Sequence, residues 1–156
     1  ITYKAQNAGY IFRGKMSNIL SLAAEKANIK LHHVQQYPHI SDFINNVEFI
    51  IGYGRVIYED MACGRPAFIY GEPGCDGWVN DHDFLMLRQG NCSGYYTECQ
   101  YDVDGLTDQL KKYDFRQGGS NRLLAEKYLS SKEMGKEYDD LIRRIVNDKR
   151  QNTGKV

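Results

Sequence analysis

Short runs of apolar residues alternate along the chain with longer segments in which apolar residues recur every three or four positions. The runs have the length of buried strands, and the periodic segments have the spacing of amphipathic helices. The runs predict strands at residues 9–12, 29–34, 47–51 and 67–70, with a further late strand at 92–97. The periodic segments predict helices at residues 17–26, 42–46, 55–63, 82–89, 104–113, 120–128 and 131–146. Ser17 is the predicted N-cap of the first helix, and Gly64 is the predicted C-cap of the third.

This alternation of strands and helices predicts an α/β fold. The strands are continuously apolar, which is typical of a parallel sheet covered by helices on both faces. In such sheets ligands bind at the carboxyl ends of the strands. Three loops that follow strands, at residues 13–15, 52–55 and 71–77, carry glycines, and we expect the binding site there.

The charge of the chain argues against two classes of partner. The 20 basic side chains balance the 20 acidic ones, so nothing favours nucleic acid or an anionic membrane. No apolar run approaches the roughly 18 residues of a transmembrane helix. The first ten residues lack the pattern of a signal peptide, and we expect a cytoplasmic protein.

The cysteines and histidines form no metal-binding or redox pattern. Cys63, Cys75, Cys92 and Cys99 lack the two-residue spacing of a zinc knuckle. We therefore expect reduced, structural thiols and no metal ion.

The chain has the length of one domain. We expect residues 1–146 to form this domain and the polar segment 147–156 to be a disordered tail. Since the chain begins with Ile1 rather than Met, we expect it to be one part of a longer protein.

Residues 50–66 carry the most informative pattern. A buried strand ends at Gly52-Tyr53-Gly54, and a helix begins immediately. The glycines let the backbone approach a ligand, and the unpaired amides of the first helical turn favour a phosphate. Glu59 lies one turn into the helix, where its carboxylate can accept hydrogen bonds from sugar hydroxyls. These features outline a nucleoside diphosphate site; the alternative for Glu59 is a solvated helix residue.

The same stretch resembles the motif of the C-terminal domain of group 1 (family four) glycosyltransferases, which have the two-domain GT-B architecture. That motif has Glu-Gly-Phe-Gly, four variable residues, and then Glu-Ala-Met-Ala-x-Gly-x-Pro. The matched residues are Gly52, Gly54, Glu59, Met61, Ala62, Gly64 and Pro66, with Tyr53 in place of Phe. The resemblance implies a Rossmann-like, doubly wound parallel sheet that forms the donor half of a two-domain enzyme.

The resemblance also implies roles for the matched positions. Glu59 is expected to bind the ribose hydroxyls of the donor. The amides around Gly54, Arg55 and Val56 are expected to hold the diphosphate, and Gly52 is a further donor-binding position. A surface charge is the alternative for Arg55.

Two more loops enter through the resemblance. Gly74 and Gly77 bound a loop that occupies the place of one lying near the donor sugar. Arg13 and Lys15 resemble the Arg and Lys that follow the first strand and neutralise the diphosphate, although their spacing is tighter here. A solvated turn is the alternative for these two residues.

The motif departs from the family pattern at two positions. The first Glu of the pattern, which touches the donor sugar, falls on Ile51, so donor choice and catalysis are in question. The Ala that follows the second Glu falls on Asp60.

The expected function is therefore to bind a nucleoside diphosphate sugar while the sugar moves to an acceptor, with electrostatic stabilisation of the leaving diphosphate. The resemblance implies a hexosyltransferase-like enzyme of polysaccharide or glycoconjugate biosynthesis, with no cofactor and no assigned catalytic residue. Its expected partner is an N-terminal acceptor domain, through which it contacts a membrane peripherally. Two alternatives are a non-catalytic nucleotide-sugar-binding or interaction module, and an epimerase-like domain whose motif lacks the Met-Ala-x-Gly-x-Pro continuation.

Overall fold

A computed structural model describes residues 4–12, 17–35 and 38–153, with side chains described as far as Asn147. The strands are β1 (Asn7–Ile11), β2 (Lys30–Val34), β3 (Phe49–Gly52), β4 (Ala67–Ile69) and β5 (Gly77–Trp78). The helices are α1 (Asn18–Lys26), α2 (Ile40–Asn45), α3 (Arg55–Ala62), α4 (Phe84–Gln89), α5 (Val103–Leu110), α6 (Gln117–Tyr128) and α7 (Ser131–Thr153).

The strands form one five-stranded sheet in the order β2-β1-β3-β4-β5. The first four strands pair in parallel, and β5 pairs antiparallel with β4 at the edge. The predicted α/β fold with a mostly parallel sheet is therefore confirmed, and it is compatible with a Rossmann-like fold.

Apolar side chains pack on both faces of the sheet because successive residues of a strand point to opposite sides. In β3, Phe49 and Ile51 pack with α1 and α5, whereas Ile50 packs with α2, α3 and α4. All three side chains are fully buried, which explains why β3 is continuously apolar.

The predicted late strand at 92–97 is wrong. This segment forms turns, because Cys92 and Gly94 have positive φ values of 49° and 84°, which a strand does not accommodate. The fifth strand is instead the two-residue β5, whose Gly77 has φ 79°. This strand is too short to produce a recognisable apolar run.

The helix ends agree with the prediction to within a few residues, with one exception. Gly64 has φ 74°, as expected of a helix C-cap. Ser17 precedes α1, but its side chain makes no capping hydrogen bond. The last helix was predicted to end at Val146; α7 runs to Thr153 and so includes most of the segment assigned to a polar tail.

Candidate functional site

The predicted site falls where the strand order changes direction. β1 lies between β2 and β3, so the connections after β1 and β3 lead toward opposite edges of the sheet. The gap between two such loops is the usual ligand position in parallel α/β sheets. Residues 52–55 lie at this edge. Arg13 and Lys15 lie outside the described residues, so their contact with a diphosphate stays a prediction.

The turn from β3 into α3 presents backbone amides at this edge. Gly54 has φ 66° and ψ −136°, a conformation that residues with a side chain rarely adopt. The Gly54 amide donates to the Cys92 carbonyl at 2.9 Å and is therefore occupied. The amides of Arg55 and Val56 face no acceptor in the described part of the chain. At the positive end of the helix dipole, these two amides are suited to an anion.

Glu59 lies one turn further along α3 and is paired with Arg55. The Arg55 Nε donates to Glu59 Oε1 at 2.8 Å. The Arg55 side chain is 88% exposed and that of Glu59 is 27% exposed, so the pair lies at the surface. Such a pair contributes no more than about 1 kcal/mol, and a ligand can displace Arg55 from the carboxylate at little cost.

Glu59 also lines a groove between α3 and α6. The groove has a volume of about 540 Å³ and includes Tyr58, Arg122 and Glu126 in its walls. It begins one helical turn from the amides of Arg55 and Val56. The structure therefore places two amides without a described acceptor, a carboxylate and this groove in succession along α3.

The loop between β4 and β5, predicted to lie near the donor sugar, is held by residues 90–100. Asp76 accepts hydrogen bonds from the Thr97 amide at 2.8 Å and the Thr97 hydroxyl at 3.1 Å. A Cβ on Gly74 would lie 2.9 Å from the carbonyl oxygen of Gly94. The absence of a side chain on Gly74 thus lets the backbone of the neighbouring loop approach closely. The predicted contacts of Gly74 and Gly77 with a sugar stay predictions.

An aromatic cavity at the same edge of the sheet was not anticipated from the sequence. It has a volume of about 530 Å³, and its lining includes Tyr10, Phe12, Ser17, Tyr70, Glu72 and Gln100. The Tyr70 hydroxyl donates to Ser17 Oγ at 3.0 Å, and the rings of Tyr10 and Phe12 stack with centroids 5.8 Å apart. Aromatic residues at the ends of two predicted strands were the signal that could have revealed this cavity.

No family model, no curated protein and no solved structure matches this chain. Within the described residues, no group of His, Cys, Asp and Glu side chains could hold a metal ion. In the same part of the chain, no helix is both long enough and apolar enough to cross a membrane.

The thiols close to this edge are poorly suited to act as nucleophiles. All four cysteines are free. Burial raises the pKa of Cys75 to about 12 and the pKa of Cys92 to about 11. Since the thiolate is the reactive form, burial disfavours both residues as nucleophiles at neutral pH.

Asp60 is the second acidic residue of the motif, and unlike Glu59 it cannot reach a ligand. Its side chain is fully buried, and neither carboxyl oxygen has a hydrogen-bond partner in the described structure. Burial raises the pKa of Asp60 well above its ordinary value, and the nearby Ile50 amide and Arg65 charge only partly oppose this effect. Asp60 is therefore part of the buried core and not of the surface that a ligand contacts.

Proposed function

We propose that this chain binds the nucleoside diphosphate of an activated sugar, as the donor domain of a glycosyltransferase with a Rossmann-like, doubly wound sheet. The observation that carries the proposal is the order of groups along α3. In this proposal the amides of Arg55 and Val56 hold the diphosphate, and Glu59, one turn further along the helix, accepts hydrogen bonds from the ribose hydroxyls. The groove between α3 and α6 offers space for the nucleoside.

The same amides supply a mechanism for assisting transfer. As the bond between sugar and diphosphate breaks, negative charge develops on the leaving phosphate. Fixed backbone dipoles at a helix terminus stabilise that charge without reorganising. The acceptor, an acceptor-binding domain and the predicted cytoplasmic, membrane-peripheral location belong to this proposal as its further expectations.

A second candidate is a module that binds the nucleotide without transferring a sugar. The first Glu of the motif, which touches the donor sugar, is replaced by Ile51. Ile51 is fully buried in the core that contains Phe49 and Phe68, so this position offers no group to a sugar. Donor binding without donor turnover by the intact protein would favour this second function.

The wild-type chain is titrated with UDP, GDP and ADP, and one of these diphosphates is expected to stabilise it against thermal unfolding. A ligand that binds only the folded state stabilises it by about 2.7 kcal/mol at roughly 100 times its dissociation constant. Glu59→Gln is expected to abolish most of this stabilisation, because Gln cannot accept hydrogen bonds from two ribose hydroxyls as a carboxylate can. Calorimetric titration of both proteins measures the loss directly.

Glu133→Gln is the matched control for this experiment. Glu133 also forms an exposed ion pair on a helix, with Lys136 at 2.8 Å, but it lies on α7. The Glu133→Gln variant should therefore bind the diphosphate like the wild type. Equal binding by wild type and Glu59→Gln would contradict the proposed role of Glu59, and no binding of any diphosphate to the wild type would contradict the proposed site.

A pair of glycines tests the backbone part of the site. Gly54 and Gly64 lie at the two ends of α3 and both have positive φ, 66° and 74°. Gly54→Ala and Gly64→Ala are each expected to lower the free energy of unfolding by about 1–2 kcal/mol, because alanine is strained in such conformations. Only Gly54→Ala should also weaken diphosphate binding. Urea unfolding and calorimetry measure the two effects, and equal binding by both variants would show that the α3 N-terminus holds no phosphate.

A further inference from the structure

Helix α7 stands apart from the rest of the described chain. Every residue from Ser131 to Asn147 is exposed. Six apolar residues on it are between 39% and 62% exposed: Met134, Tyr138, Leu141, Ile142, Ile145 and Val146. The remaining helices that contain large apolar residues bury at least part of them in the core.

These six residues form one continuous stripe along α7. Their spacing of three, four and one positions keeps them on one side of a helix with 3.6 residues per turn. An uninterrupted apolar stripe on an isolated helix is unusual, since apolar surface of this extent is normally covered by a partner. The stripe therefore indicates an interface, and the charges beside it indicate which partner fits.

The charged residues of α7 differ in how they are paired. Lys136 pairs with Glu133 at 2.8 Å on the side away from the stripe, and Arg143 pairs with Asp139 at 2.7 Å on the flank next to Val146. Glu137 makes no ion pair among the described side chains, and beside it on the same flank Arg144 donates only to a backbone carbonyl. Glu137 and Arg144 thus carry opposite charges along one flank of the apolar stripe, and neither forms an ion pair with another described side chain.

The positions of Glu137 and Arg144 are related by the symmetry of an antiparallel pair. They are seven residues apart, close to two helical turns, so they lie on the same flank of the stripe. In an antiparallel pair about a twofold axis, like flanks face each other, and Glu137 of each helix meets Arg144 of the other when the axis passes midway between them. That midpoint, between residues 140 and 141, lies next to residue 140, the centre of the stripe from Met134 to Val146. The same axis therefore pairs both charges and superimposes both apolar stripes.

We propose that α7 pairs antiparallel with the α7 of a second copy of this chain, with the two stripes buried against each other. The charges at the flank set the orientation, as they do in coiled coils. A parallel pair places unlike flanks together, so that Glu137 and Arg144 of the two helices do not meet. The interface uses one patch on both copies and closes as a twofold dimer.

Sedimentation of the full chain over a range of concentrations tests the proposal. The wild type is expected to dimerise reversibly. Glu137→Arg and Arg144→Glu each convert both inter-helix pairs into repulsive ones, and each should weaken the dimer by about tenfold or more. The double variant restores opposite charges and should recover dimerisation close to that of the wild type. Leu141→Lys, at the centre of the stripe, should abolish the dimer.

Lys136→Glu reverses a charge on the opposite side of the helix and should leave the dimer intact. Circular dichroism of each variant verifies that α7 remains helical. A wild type that stays monomeric overturns the proposal. If the dimer tolerates Leu141→Lys, it uses another surface. If the double variant does not restore the dimer, the helices do not pair antiparallel. Either result also overturns the proposal.

Discussion

Asp60→Asn is expected to raise the free energy of unfolding at neutral pH by about 2–3 kcal/mol, the upper part of the cost of burying an unpaired polar group, because the Asp60 carboxyl is ionised in the unfolded chain and has to take up a proton on folding. Asp60 is fully buried, and its carboxyl oxygens lack hydrogen-bond partners in the described structure. Asn has nearly the same volume and no ionisable group. The substitution therefore removes the proton uptake that folding requires of the carboxyl, without opening a cavity.

The gain should depend on pH in a defined direction. The folded-state pKa of Asp60 lies well above the ordinary value, with burial as the main cause. Below the unfolded pKa of about 4, Asp60 is protonated in both states and does not alter stability. As pH rises from there, the unfolded chain loses this proton while the folded chain retains it, so wild-type stability falls until pH passes the folded pKa. The Asp60→Asn variant has no ionisable group at this position, so this fall in stability with rising pH is absent from it.

Urea unfolding of both proteins between pH 4 and pH 9 measures the effect. The difference in free energy should grow from its value at the acidic end and then become constant above the folded pKa. The slope in between should approach 1.4 kcal/mol per pH unit, which is about the value for one proton. A difference that stays constant over the whole range would mean that the carboxyl is solvated or paired in the folded protein.

The sequence predicts the central strands of this fold because burial on both faces leaves a plain signal. β3 is apolar at every position since its residues pack against helices on the two sides of the sheet. The order of the strands does not follow from such runs, because it depends on the direction each connection takes. β5 consists of only Gly77 and Trp78, and so brief a pairing leaves no periodic pattern.

The segment 92–97 shows how tertiary contacts override local preference. Tyr95, Tyr96 and Thr97 favour a strand by residue type. The Thr97 amide and hydroxyl instead donate to Asp76, and the Cys75 amide donates to the Cys99 carbonyl. These hydrogen bonds hold the segment as a turn against the neighbouring loop, and the local sequence pattern does not predict them.

The candidate site is partly visible in the sequence for similar reasons. The Gly-x-Gly turn and the helix start at Arg55 follow from local residue types, and the spacing of Arg55 and Glu59 suits an ion pair on one helix face. The hydrogen bond from Gly54 to Cys92 does not follow, since its acceptor is distant along the chain. The burial of Asp60 does not follow either, because a helix pattern alone does not show how deeply a polar position lies.

Gly118→Ala is expected to lower the free energy of unfolding by about 3 kcal/mol, the upper part of the range for an overpacked core. Gly118 lies in the first turn of α6, where the helix approaches the turn that follows α3. A Cβ at this position would lie 2.3 Å from the Gly64 carbonyl oxygen and 3.1 Å from the Gly64 carbonyl carbon. Backbone atoms cannot rotate away, so α6 has to move away from α3.

The neighbouring Gly119 is a control within the same turn of the same helix. A Cβ there would meet no atom within 4 Å, so Gly119→Ala should leave packing intact and raise stability by about 0.5 kcal/mol through helix propensity. Urea unfolding of the two variants should thus show opposite signs with similar m-values. Equal effects would mean that α6 tolerates displacement. Because Glu59 lines the groove between α3 and α6, a displaced α6 should also alter that groove, and only Gly118→Ala is expected to weaken ligand binding there.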